Sequence, residues 1–413
     1  MRKLLISIWL IIGSLPALAQ QVLPVQHDSL FEQGKYAHEL VLSGIADYNS
    51  TSLENDLMKR LLYGGVITEG IKNHSFGNHN SINRFGADIT GEFEYKNYSL
   101  KWFKKDVIGL VLKGGYYNYA SLIYNKDLFG LAFYGNEKYK GETADFSGTR
   151  FLGMAFQKLG LGFFNKQSKN SVTLNVYSIS NYAEGNIYSG QLFQSESADS
   201  VSLSLTGNMD FSRSDKFIKG WGAGVDLDFR LTVKMSETRT AIVRFEARNL
   251  GVCAFNESLT RYHSDTIVHF QGYTLDQLFS NSENTSNKLD LLDSLGVDSL
   301  GVRKWRFIPA YIQIGKIVSE NDPAAVQTFY GLRMYGLSAF APMLYAGIHY
   351  KLAKYANLGM SAAIGGFGKL RFGLYSNWKF GNYSLGLGSE NITGMFQKNA
   401  RGESISIRLR CVL

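Results

Sequence analysis

The stretch from Trp221 to Val233, WGAGVDLDFRLTV, alternates without a break. Trp221, Ala223, Val225, Leu227, Phe229, Leu231 and Val233 fall on one face; Asp226, Asp228 and Arg230 fall on the other, among small residues. Its length exceeds the usual strand of ~5–6 residues and matches the ~9–11 that a tilted strand needs to cross a bilayer. Other segments repeat the pattern. Val243, Phe245 and Ala247 oppose Arg244, Glu246 and Arg248. Leu344, Ala346, Ile348, Tyr350 and Leu352 oppose Tyr345, Gly347, His349 and Lys351. Leu370, Phe372, Leu374, Trp378 and Phe380 make a further apolar row. The closing SISIRLRCVL sets Ile405, Ile407, Leu409, Cys411 and Leu413 against Arg408 and Arg410.

A greasy face backed by a charged one fits a soluble sandwich or a membrane barrel. The strands after residue 326 follow one another through very short connections, as an up-and-down meander requires and a Greek key does not. Their polar faces carry small residues and opposite charges close together, which suits a wet lumen. The expected fold is therefore all-β: a closed up-and-down transmembrane antiparallel β-barrel of about 14 strands, within 12–16. Ile405, Ile407, Leu409, Cys411 and Leu413 then have the form of a C-terminal signal for the outer-membrane assembly machinery, with Leu413 where an aromatic is usual.

The first residues, MRKLLISIWLIIGSLPALAQQ, have the layout of a cleavable secretory signal over 1–19, cut between Ala19 and Gln20. Residues 20–81 read as an N-terminal periplasmic or plug segment with a short helix near 52–63, where Leu53, Leu57, Leu61 and Leu62 share a face. The barrel is expected over 82–413, interrupted by a long acidic loop at 251–304 in which Leu289, Leu292 and Leu295 suggest a helix. Strand parity places that loop and those near 366–368 and 390–402 outside the cell. The expected location is the outer membrane of a Gram-negative bacterium, with its lipid as surroundings.

Composition supports this class. Proline, which paired strands exclude, occurs 5 times, against 43 glycines and 14% aromatics. Two cysteines, Cys253 and Cys411, do not make a disulfide scaffold. A net charge of +8 is scattered singly along strands, so no nucleic-acid surface is expected. Asp226 and Asp228 share a face and form either a carboxylate dyad or part of a lumen charge network with Arg230, Arg244, Glu246 and Arg248. With a turn centred near Thr238, Asp228 lies opposite Arg248 and Arg230 opposite Glu246. His74, His79, His263 and His269 lack metal-site spacing, so neither metal nor cofactor is expected. His349 has no sequence-marked triad partner, and no enzyme is expected.

The run KDLFGLAFYGN, the turn DFSGTRF with its following aromatic strand, LENDLMKRLLYGG and FIPAYIQIGK together resemble an uncharacterised family of outer-membrane barrels from Bacteroidota. That family is broadly similar to the FadL long-chain hydrophobe transporters and to barrel components (PorP/PorV-like) of the type IX secretion system. The chain lacks the Asn-Pro-Ala run such proteins carry near the mature N-terminus, so fatty-acid transport is not carried over. The functions in view are a pore or transporter for small hydrophobic or anionic solutes, a structural or secretion-linked barrel that binds a periplasmic or secretion-system partner, and a barrel enzyme. Oligomeric state is left open.

Overall fold

The computed structural model describes residues 36–100, 107–234, 240–270, 297–303, 305–319, 322 and 324–413. The expected cleavage site at Ala19 and Gln20 and the leucines at 289, 292 and 295 lie outside these residues. Among the described residues, nineteen strands join in one antiparallel sheet that closes on itself. Fourteen form the wall. Round the ring these are β1 (His38–Ser50), β2 (Asn83–Asn97), β3 (Ile108–Tyr124), β5 (Arg150–Asn165), β6 (Ser171–Gln194), β8 (Gly220–Lys234) and β9 (Thr240–Phe255). They continue as β13 (Tyr311–Ile317), β14 (Val326–Tyr335), β15 (Ala341–Ala353), β16 (Ala356–Gly366), β17 (Arg371–Phe380), β18 (Tyr383–Ser389) and β19 (Gly402–Val412). The other five are β4 (Thr143–Asp145), β7 (Val201–Phe211), β10 (Leu259–Phe270), β11 (Val297–Val302) and β12 (Trp305–Phe307).

Burial is inverted relative to a soluble protein. The alternating apolar residues point outward: Leu159, Leu174, Leu344, Ile348, Leu370, Phe380 and Leu409 are all exposed, Leu174 at 71%. Their polar neighbours point inward, and His349 and Asp226 are buried. Aromatics ring the outer face at both heights. Phe163, Tyr355, Trp378, Phe380 and Tyr383 lie near the rim that holds the chain termini; Trp221, Trp305 and Phe307 lie toward the other, distal rim. An apolar band between two aromatic girdles is the exterior a membrane barrel needs. Among the described residues no helix is long and apolar enough to cross a membrane.

The seam joins first strand to last. β1 pairs with β19 from Glu39↔Val412 to Asn49↔Gly402, and β2 flanks its other edge. Residues 38–50 are thus a stave of the wall, which corrects the reading of 20–81 as a separate periplasmic or plug segment. The alternation is faint there because Val41 and Ile45 point inward and are buried while Leu40 and Leu42 point outward, leaving both faces apolar. Ile405, Leu409 and Leu413 of the closing segment lie exposed on the outer face, and Ile407 and Cys411 share that side. Cys253 is buried inside the upper barrel; both cysteines are free.

The helices belong to the distal rim. α1 (Asn55–Tyr63) and α2 (Glu69–Gly77) connect β1 to β2, and α3 (Lys126–Tyr134) follows β3. Asn125 caps α3 by accepting from the Leu128 N–H at 3.1 Å. The three helices share an apolar cluster built on Leu57, Tyr124 and Phe129. A short helix near 52–63 therefore exists, but on the rim opposite the termini. The run KDLFGLAFYGN supplies α3.

β6 spans 24 residues and outgrows the wall. Its first half pairs with β8 and its second half, from Ala183 to Gln194, with β7. β10 pairs with β7 and β11 with β10, so a small sheet stands above the distal rim. Arg261 holds Asp210 across it with two hydrogen bonds of 2.7 and 2.9 Å. The segment 251–304 is accordingly not one loop: β9 runs on to Phe255, and β10, β11 and part of this sheet lie within it.

Candidate functional site

Inside the wall, the inward positions of β2, β3, β5, β8 and β9 bring charged side chains together. Asp226 is the centre. Its carboxylate accepts from Lys158 Nζ at 3.1 Å, from Asn175 Nδ2 at 2.8 Å and from the backbone N–H of Asn249 at 2.8 Å. The last contact comes from a bulge. Asn249 has φ of +57°, in the left-handed region that asparagine tolerates better than most residues. The register of β8 with β9 shifts there, between Val225 and Leu227. One extra residue on β9 turns its N–H and side chain toward Asp226, and Asn249 Oδ1 accepts from Lys158 at 3.0 Å.

Below the bulge the register differs from expectation by two residues. Asp228 lies opposite Glu246, and Arg230 opposite Arg244. Like charges face each other directly, so the ion pairs run diagonally. Arg244 grips Asp228 with two bonds of 2.8 and 2.7 Å and reaches Glu246 at 3.1 Å. Arg248 donates to Glu246 at 2.8 Å, and Arg230 stands 3.9 Å from Asp228. All six expected network residues are in one cluster, through partners other than those the simple turn implies.

Sequence reasoning missed half of the cluster. Arg248 also donates to Glu92 of β2 at 3.1 Å, and Lys158 approaches Glu92 at 3.4 Å. The Tyr117 hydroxyl donates to Glu92, and Lys158 Nζ sits 4.8 Å above the Tyr117 ring. Glu94 is held by Lys96 at 2.6 Å and Lys113 at 3.4 Å. The signals were present but isolated: a lone lysine in the aromatic strand FQKLGLGF, and Glu92 and Glu94 alternating with Phe93 and Tyr95.

These contacts cross the lumen. Glu92 and Arg248 belong to staves five places apart in the ring. The Tyr335 hydroxyl of β14 donates to Asp88 of β2 at 3.1 Å, joining staves half-way round the barrel. Barrel diameter grows with strand number, so staves this far apart meet only through side chains that reach inward from both walls. Aromatics pack at the same height: Tyr119 on Tyr335 at 5.9 Å, Tyr335 on Phe340 at 5.0 Å and Phe340 on Phe367 at 5.0 Å between ring centres.

The opposite wall is quieter. His349 Nδ1 lies 2.8 Å from the Tyr375 hydroxyl, and the Tyr375 ring covers Gly359, where a Cβ would come within 2.2 Å of it. Arg333 donates to Gln313 at 3.0 Å. Asp226 and Asp228 are engaged separately, by Lys158 and by Arg244. Among the described residues, no group of histidines, cysteines and carboxylates is arranged to hold a metal ion.

One titratable group outside the strands is unusual. His79 is buried under the rim helices, and burial pushes its imidazole down from 6.5 to about 4. Its Nδ1 faces the Ser75 carbonyl at 2.7 Å and must carry the hydrogen. Nε2 then accepts from the Tyr124 hydroxyl at 2.9 Å, whose oxygen accepts from Ser52 at 3.0 Å.

No protein-family model matches the chain, and no curated protein matches it. Among solved structures it is similar to the translocator domain of the autotransporter NalP from Neisseria meningitidis, at 8% identity and a TM-score of 0.29, covering 94% of this chain and 91% of that one. It is similar to the toluene transporter TbuX of Ralstonia pickettii, at 7% identity and 0.28, covering 93% and 91%. It is similar to the CymD monoaromatic hydrocarbon channel, at 9% identity and 0.31, covering 97% and 95%. Likenesses this distant carry no argument about cargo. The closed sheet itself establishes the barrel.

Proposed function

We propose that the chain is an outer-membrane barrel of a Gram-negative bacterium that passes small solutes through a lumen closed at rest by the charge network. The carrying observation is the set of side-chain bridges across the lumen, Glu92 to Arg248 and Asp88 to Tyr335. A passive pore keeps such walls apart. The ion-paired set holds six basic groups (Lys96, Lys113, Lys158, Arg230, Arg244, Arg248) against five carboxylates (Glu92, Glu94, Asp226, Asp228, Glu246), each engaged by an opposite charge. That near balance gives anions no advantage, and the aromatic packing above it favours a small apolar or uncharged solute. The reading assigns the chain no catalytic chemistry and no cofactor. The C-terminal strand is its address for the assembly machinery, and the distal rim faces the exterior.

A second reading, a barrel that binds a protein partner, is favoured by Tyr63, Val66 and Phe396, apolar and strongly exposed on the distal connections. Conductance in planar bilayers and swelling of liposomes in uncharged solutes decide between the two. Transport requires a near-closed wild-type that opens when Glu92 and Arg248 are both replaced by alanine. A heat-modifiable barrel that admits no solute in either form overturns it and leaves the partner reading.

A further inference from the structure

The wall has a notch. β18 ends at Ser389 and pairs with β17 only from Leu374 to Phe380, and with β19 only opposite Ser406–Cys411. The upper ends of β17 and β19 therefore have no strand between them; α4 (Ile392–Phe396) and the chain after it fill the space. A cavity of about 280 Å³ remains there. Three cations line it, Lys369, Arg371 and Arg401, with the amides of Asn49 and Asn391 and no carboxylate.

The cations are unequally engaged. Arg401 donates to the Thr51 carbonyl and to Asn78. Arg371 is 5% exposed; its guanidinium contacts Met343 Sδ and stands 3.9 Å from Asp47 and 3.6 Å from Glu390, and among the described residues its Nε has no hydrogen-bond partner. Lys369 is exposed. Three positive charges thus meet two carboxylates. A buried guanidinium edge without a partner is costly unless something accepts from it.

Leu370 lines this notch and also a second hollow of about 570 Å³ on the outer face. That hollow is apolar: Ile314, Tyr330, Leu344 and Ile364 wall it, and Ala346 and Ala362 make the floor low. A cationic recess and an apolar hollow on the outer face therefore adjoin at one leucine.

We infer that the notch and hollow together bind a phosphate-bearing lipid of the leaflet at the distal rim, its phosphate on Lys369, Arg371 and Arg401 and an acyl chain over Ala346 and Ala362. The inference rests on the membrane placement proposed above. Charge complementarity selects the headgroup, and the hollow's position on the lipid face selects an amphiphile over a free ion.

The test uses the full chain in detergent, with lipid retention read by native mass spectrometry. Phosphatidylglycerol should be retained over phosphatidylcholine, and Lys369→Glu should lower that retention roughly tenfold without loss of the heat-modifiable band. Ala362→Phe should weaken both lipids alike by filling the hollow. Equal retention of the two lipids, or an unchanged Lys369→Glu variant, overturns the inference. Displacement by millimolar inorganic phosphate also overturns it, in favour of a free-anion site. A chain with no heat-modifiable band fails at the membrane reading instead, a separate result.

Discussion

The two halves of the wall solve the same problem differently. From β13 to β19 the connections are mostly short and the lumen face is held by scattered contacts: His349 with Tyr375, Gln313 with Arg333, and Arg410 with Glu39 across the seam. Within β2 to β9, α3 joins β3 to β5 and β7 of the added sheet joins β6 to β8, and the lumen face is held by charges joined in one cluster. The outer faces of both halves are alike. The difference teaches that the exterior is set by the membrane and is uniform, whereas the interior is set by what must meet across the lumen. Where charges meet, the chain needs a bulge, a long strand and rim structures to hold its geometry.

The strongest way to break the comparison is to remove one member of the cluster. Lys158→Met strips Asp226 and Glu92 of their shared cation, and should cost about 3–5 kcal/mol because a buried carboxylate loses its compensation. The check is the urea midpoint of the unboiled band. Adding Asp226→Leu to Lys158→Met should recover much of the loss, which a double-mutant cycle measures. The outer face should treat both halves equally. Leu159→Arg on β5 and Ile348→Arg on β15 should each cost about 2–4 kcal/mol, so a large inequality would show that one half is not immersed in lipid.

The quieter half should yield less. His349→Phe removes the hydrogen bond to Tyr375, and a loss of about 1 kcal/mol in the same urea series is expected. The smallest effect concerns the rim. The folded-state value of His79 is depressed, so the unfolded segment takes up a proton first as pH falls. The stability that neutral His79 contributes is complete above about pH 6.5 and should be lost progressively toward pH 4, loosening α2. Hydrogen-exchange protection factors over residues 68–79, referred to the intrinsic rate at each pH, should fall through that window in the wild-type, and His79→Phe should flatten the response.

How much was legible followed the same division. On β15 and β17 the period of two is unbroken, and the outward rows from Leu344 to Leu352 and from Leu370 to Phe380 could be read directly. The candidate network was legible as a set, since Asp226, Asp228, Arg244, Glu246 and Arg248 alternate cleanly. Its pairing was not, because it hangs on one left-handed residue, Asn249, that nothing local announces. Glu92 is 156 positions from Arg248, and a contact at that separation leaves no mark in either segment. β1 escaped notice because Val41 and Ile45 spoil its contrast. The helix near 52–63 was visible from its leucines, but which rim it occupies depends on a strand before it that was hidden.

The seam also decides what the barrel would expose if it were undone. β1 completes its ladder only against β19, and the final residue takes part: the Leu413 carbonyl accepts from the Ala37 and His38 N–H groups, while Arg410 pairs with Glu39 at 3.0 Å. Without β19, one edge of β1 is left bare. A chain cut back within β19 therefore loses this lock and keeps an open edge on β1 for any neighbouring strand to occupy.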